Sequence, residues 1–242
     1  MSIPPTIRIR EQQTKPALDV ILLVDASGSM RATDRISMLN AGIREAISGI
    51  REAANQVQTV DLRFRAVAFS TGARWHIPVP QPIHALNWSD LAADGETDMG
   101  KAFELVAEAL PVMYTGQYTA HPLLILITDG RPTDDFAGGL ARLTSGNRMS
   151  IRESIAFGED AGIADLQRFQ TQSNAAPHRA ADAASLARHL RRIVTAALQK
   201  LAWPAAGGGG QQELGGEPEE KKNEEQPWWR IKDQSEGSDS VW

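Results

Sequence analysis

Apolar residues fall along this chain in two alternating kinds of run. Residues 18–24 (LDVILLV) and 121–128 (HPLLILIT) are short and almost continuously apolar, the pattern of strands buried on both faces of a parallel sheet. Ile36, Leu39, Ile43, Ile47, Ile50 and Ala54 recur at steps of three and four, which predicts a helix with one buried face and Asp34 as its N-cap. Residues 59–70 (TVDLRFRAVAFS) predict a further strand. Residues 73–79 (ARWHIPV) predict its hairpin partner at a sheet edge, because Pro78 suits an edge better than a centre. A helix follows GETDMG, with Ala102, Val106, Ala109 or Leu110, and Met113 on one face. A short helix around 134–144, a strand at 149–157 and a helix near 163–171 continue the alternation. A last helix over 182–201 carries Leu186, Leu190, Ile193, Ala197 and Leu201 on one side. Strands alternating with helices predict an α/β fold with a doubly wound, mostly parallel sheet flanked by helices.

Charge divides the chain before any motif does. Among its 242 residues, 25 are basic and 30 acidic, a balance that argues against a nucleic-acid binder relying on phosphate neutralisation. The whole imbalance lies beyond Trp203: residues 204–242 hold nine acids against four bases, and residues 1–203 are neutral overall. The segment opens on Gly207–Gly210 and continues through EPEEKKNEEQP, a composition that cannot assemble a core. The expected organisation is an arm at 1–16, a folded domain at 17–203 and a flexible acidic tail at 204–242. Cysteine is absent, which excludes disulfides, thiolate metal sites and cysteine nucleophiles. The longest strongly apolar runs are far too short to span a bilayer, and the first residues show no apolar leader. These features set the expectation of a cytoplasmic protein with neither membrane nor nucleic-acid partner.

In doubly wound sheets, ligands bind beyond the carboxyl ends of the strands, and three polar clusters fall there. Asp25-Ala26-Ser27-Gly28-Ser29 follows the first strand, Thr97 lies in GETDMG before a helix, and Asp129 lies in Thr128-Asp129-Gly130 after the 121–128 strand. Two carboxylates and three hydroxyls make an all-oxygen donor set that suits a hard divalent cation. Gly28 is expected to permit the tight backbone between the two serines. Two carboxylates cancel the charge of such an ion and hydroxyls add none, so the bound ion keeps its pull on an outside acidic ligand. Asp98 is read as a helix N-cap or first-turn acid, Asp134 and Asp135 as a helix start after Pro132, and Arg131 as a solvated rim residue. The five histidines show no paired spacing that suggests zinc. Neither a G-x-S-x-G elbow nor a G-x-x-x-x-G-K-[ST] loop occurs.

DASGS, GETDMG and ITDG, in that order and at those strand ends, resemble the metal-ion-dependent adhesion site of von Willebrand factor A domains. The resemblance spans most of residues 17–201. It implies that Ser27, Ser29 and Thr97 coordinate Mg²⁺, with Mn²⁺ as a substitute, through their hydroxyls. Asp25 and Asp129 would bind directly or through water, and a partner's Asp or Glu would complete the shell. The DRISMLNAGIREAI and LITDGRPTDD stretches are most similar to the bacterial tellurium-resistance type, which implies a signalling or stress-response complex with a serine/threonine kinase and a PPM-type phosphatase. The cysteine-rich extension of some relatives is replaced here by the acidic tail.

The expected function is therefore a non-enzymatic, Mg²⁺-dependent protein-binding module. A regulatory subunit of an AAA+ ATPase or chelatase-type machine is the first alternative, and a metal-dependent hydrolase the second. Trp228, Trp229 and Trp242 supply half of the six tryptophans of the chain, within its last fifteen residues. Aromatic anchors are rare in core-less segments and common at binding hot spots, so these three are expected to form a second partner-binding motif.

Overall fold

The computed structural model describes residues 15–110, 120–145, 150–158, 161–172 and 175–202. Six strands, β1 (Ala17–Asp25), β2 (Asp61–Ser70), β3 (Gly72–Pro82), β4 (Leu123–Thr128), β5 (Ile151–Phe157) and β6 (His178–Ala180), form one sheet in the order β3-β2-β1-β4-β5-β6. All neighbours are parallel except β2 and β3, an antiparallel pair. Among the described residues, five α-helices complete the fold, α1 (Arg35–Gln56), α2 (Met99–Ala109), α3 (Phe136–Thr144), α4 (Ile163–Phe169) and α5 (Ala183–Ala202), with a 3-10 turn at Gly28–Asp34 leading into α1. This is the doubly wound α/β architecture read from the sequence, with the edge hairpin where Pro78 placed it. The three residues of β6 are too few to give a sequence signal.

Strand periodicity sorts the core into two layers. Leu18, Val20, Leu22 and Val24 of β1, with Leu123, Ile125 and Ile127 of β4, pack under α1 and α5. Ile21, Leu23, Leu124 and Leu126 point the other way, under α2, α3 and α4. Both faces are covered, which is why these strands read as continuous apolar runs rather than alternating ones. At the open edge, β3 carries Pro78, Pro80 and Pro82, which offer no N–H to a further strand.

Two close approaches set the helices that bear on the site. A Cβ on Gly100 of α2 would lie 2.4 Å from the Asp135 carbonyl oxygen, and one on Gly139 of α3 would lie 2.5 Å from the Gly100 carbonyl oxygen. Only glycine at both positions lets α2 and α3 touch backbone to backbone. Residues 83–98, which join β3 to α2, are tied to α1 by Asn40. Its side chain donates to the Leu91 carbonyl at 2.9 Å and accepts from Trp88 Nε1 and Leu91 N, both at 3.0 Å.

Helix starts depart from the sequence reading. Asp34 stands at the N-cap position of α1, yet its side chain caps no backbone N–H and instead accepts the Ser37 hydroxyl at 2.6 Å. Its φ of 57° places it in the left-handed region, next to Thr33 at 49°, a geometry in which an Asx cap cannot form. Met113, residues 1–14 of the 1–16 arm, Trp203 and the acidic tail at 204–242 lie outside the described residues.

Asn40 is 3% exposed, and removing its amide strands three buried polar groups, each costing about 1–3 kcal/mol. Asn40→Ala is expected to lower the free energy of urea unfolding by at least about 2 kcal/mol, whereas Ser37→Ala on the exposed side of the same helix changes it by less than about 0.5 kcal/mol.

Candidate functional site

β1 and β4 are neighbours whose connections leave in opposite directions across the sheet, so the gap beyond their carboxyl ends is the switch point. Asp25 ends β1 and Asp129 directly follows β4. Both side chains are buried, as are Ser27 and Thr97, while Ser29 opens to solvent. Ser27 Oγ and Ser29 Oγ hydrogen-bond to each other at 2.9 Å, and Ser29 Oγ donates to Asp129 Oδ1 at 2.6 Å. Thr97 arrives from the far side. A Cβ built on Gly130 would lie 3.7 Å from Thr97 Oγ1 and 3.9 Å from Ser29 Oγ, so both hydroxyls face the same space beside Gly130. The five residues named from the sequence are thus brought around one point.

Asp25 is the least comfortable group in this cluster. Burial pushes its carboxyl above the ordinary value, opposed by hydrogen bonds from Ser27 and Thr128, and the nearby Asp129 charge pushes it further up. Its Oδ1 accepts the Ser27 N–H at 2.8 Å and its Oδ2 accepts the Thr128 hydroxyl. No cation among the described residues forms an ion pair with it. A buried carboxylate in that position gains from a divalent ion placed beside it. Among the described residues no group of three or more His, Cys, Asp or Glu forms a metal cage. The donor set here is instead two carboxylates with three hydroxyls, an all-oxygen set that fits a hard divalent cation.

Backbone hydrogen bonds lock the three loops together. Gly28 N–H donates to the Gly95 carbonyl at 2.8 Å, Asp94 N–H to Ala26, Asp98 N–H to Ser70, and Thr133 N–H to Thr97. Gly28 owes its place to this approach: its φ is not positive, and a Cβ there would sit 3.1 Å from the Gly95 oxygen. Asp98 does not cap α2. It accepts the Gly72 N–H at 2.7 Å and the Thr133 hydroxyl at 3.2 Å. Asp134 performs the capping from another loop, accepting from Gly100 N at 2.9 Å and Lys101 N at 2.8 Å. Asp135 caps its own helix α3 through Gly138 N, and Arg131 is exposed.

Three site residues escaped the sequence reading. Thr128 is fully buried and links Asp25 to the Gly130 backbone, whose N–H it accepts at 3.1 Å. Thr133 supports Thr97, accepting its N–H at 2.9 Å. Arg35, the first residue of α1, donates through Nη1 to Asp129 Oδ2 at 2.9 Å. Thr128 and Thr133 lie inside the ITDGRPTDD stretch and were within reach of a closer reading, whereas no spacing marks Arg35. The turn before it is strained, since a left-handed residue other than glycine costs roughly 1–2 kcal/mol and Thr33 and Asp34 are two in succession.

The histidines form no paired spacing along the chain, yet the fold stacks His178 on His189, with ring centroids 5.2 Å apart. An apolar cleft of about 390 Å³ opens beside them, between Leu18, Leu123 and Ile151 and the last turns of α5. It lies at the opposite ends of the strands from Asp25 and Asp129. Trp228, Trp229 and Trp242 lie outside the described residues.

Residues 20–131 match the family model of the von Willebrand factor type A domain. No curated protein gives a match. Solved structures share the fold: a von Willebrand factor type A protein from Catenulispora acidiphila is 19% identical with a TM-score of 0.57, over 76% of this chain and 43% of that one. The pilus adhesin SpaC from Lactobacillus rhamnosus GG is 14% identical with a TM-score of 0.59, over 78% and 31%. Proximal thread matrix protein 1 from the mussel byssus, in a structure described as having a zinc-occupied MIDAS motif, is 14% identical with a TM-score of 0.56, over 76% and 46%. The matches span less than half of each of these longer chains. The expectation of a cytoplasmic location is overturned at this point. Two of these folds belong to a pilus adhesin and a byssal thread protein, and charge balance with a polar first segment does not set a compartment. The family match and the shared architecture show that this chain contains a domain of the von Willebrand factor A fold.

Proposed function

We propose that this domain is a non-enzymatic module that binds a protein partner through a divalent cation, Mg²⁺ or Mn²⁺, held by Asp25, Ser27, Ser29, Thr97 and Asp129. The observation that carries the reading is Asp25: a buried carboxylate without an ion-pair partner among the described residues, set in a cluster of hydroxyls that face one space. A bound cation supplies an open coordination position for an Asp or Glu of the partner. Ser29 and Gly130, the more open members, flank the way in, and the cross-bonded loops keep the donors in place without the partner. The zinc named in the mussel protein's MIDAS motif supports a metal at the corresponding strand ends here. An exposed acidic loop on a serine/threonine kinase or a PPM-type phosphatase is the partner class that the sequence resemblance points to, and the tail tryptophans supply a second contact.

Calorimetric titration of Mg²⁺ into the full chain is expected to show one site, lost in both Asp25→Ala and Thr97→Ala. An unchanged isotherm in folded variants would rule the cation site out. Because burial raises the carboxyl of Asp25, its charge opposes folding when no cation is present. Asp25→Asn is therefore expected to raise Tm in EDTA and to abolish the further rise that Mg²⁺ gives the wild type. Trp228→Ala with Trp229→Ala, in the full chain, is expected to weaken partner capture at least threefold while leaving Mg²⁺ affinity unchanged.

A further inference from the structure

Arg35 is the one cation bonded to the candidate metal cluster among the described ion pairs. Its guanidinium is held rather than draped over the surface. The side chain is 16% exposed against a fully buried Asp129 partner, and the end of β5 closes over it. Gly158, at a φ of +93°, brings its backbone so near that a Cβ would lie 3.2 Å from Arg35 Cζ and Nε. On the other side, the left-handed pair Thr33 and Asp34 sets the direction in which α1 starts. The two oxygens of Asp129 are consequently divided: Oδ1 accepts Ser29 and Oδ2 accepts Arg35.

That division has electrostatic consequences of opposite sign for the two ligands of the site. A fixed positive charge beside Asp129 repels an incoming cation and neutralises part of the carboxylate charge that would hold it. The same charge adds to the pull on a carboxylate arriving afterwards, because the site then presents the cation and Arg35 together. We infer that Arg35 is a positioning residue and built-in counter-charge of this site, which weakens binding of the bare cation and strengthens capture of a carboxylate by the loaded domain. The inference rests on the proposed cation site and deepens it, since it makes the pair of ligands, rather than the ion alone, the preferred occupant.

The test uses the full chain, with Mn²⁺ as the cation probe, followed by electron paramagnetic resonance of the free ion. Acetate is the carboxylate probe, followed by water-proton relaxation of the Mn²⁺-loaded chain. Arg35→Gln is expected to bind Mn²⁺ about tenfold tighter and acetate weaker by a similar factor, while Arg35→Lys, which keeps the charge, stays within about threefold of the wild type in both. In EDTA, Arg35→Gln is expected to melt below the wild type, because Asp129 loses its counter-charge, and Mn²⁺ should recover the difference. Unchanged or weaker Mn²⁺ binding by a folded Arg35→Gln chain overturns the inference. So does an Arg35→Lys chain that behaves like Arg35→Gln, since packing alone would then explain both. If the wild type and Asp25→Ala bind Mn²⁺ alike, the cation site itself falls. If Asp25→Ala abolishes binding and Arg35→Gln leaves both affinities unchanged, only the role of Arg35 falls.

Discussion

Asp25 ends the central strand of the sheet with its carboxylate out of contact with water. Burying a charge without a counter-ion costs several kcal/mol unless hydrogen bonds or a bound ion offset it, and the surrounding structure answers that demand. The Ser27 N–H and the Thr128 hydroxyl donate to its two oxygens. The Ser27 N–H is local, two residues on, but the Thr128 hydroxyl is in reach only because β4 runs parallel to β1, with Ile127 in register with Val24, so that Thr128 follows beside Asp25. The register of two apolar strands thus decides the chemistry of the polar group at their end.

The loops beyond the strands depend on packing some distance away. Thr97 is positioned by the 83–98 segment, which hangs on Asn40 in the second turn of α1. The start of α2 is held by Asp134 of the loop after β4, and that loop can reach it because Gly100 and Gly139 let α2 and α3 meet backbone to backbone. A displacement in either helix pair would therefore be felt at the hydroxyls facing Gly130. Such mutual support makes a preformed site, which suits capture of a ligand whose binding energy is not spent on ordering loops.

Much of this was legible in the chain itself. The runs at 18–24 and 121–128 are apolar at every other step on both faces, so their burial between two helix layers follows from composition. DASGS and ITDG stand at the ends of neighbouring strands, so their convergence follows from the topology of a doubly wound sheet, and Thr97 stands just before a helix. Other assignments failed for a common reason. Asp34 and Asp98 both stand where a helix begins, yet Asp98 bonds partners 26 and 35 residues away, α2 is capped by Asp134 from 34 residues away, and Asp34 sits in a left-handed turn that residue type does not announce.

The amino-acid sequence alone determined the order of elements other than β6, the two-sided core and the five oxygen-bearing side chains of the candidate site, because each is written in local periodicity or in a short motif next to a predicted strand or helix. Only the tertiary structure decided that Arg35 lies on Asp129 across 94 residues, that Asn40 anchors the Thr97 loop, and that His178 stacks on His189. These contacts join residues that no local period relates, and they form only where packed helices and strand register bring distant backbone to within a few ångströms.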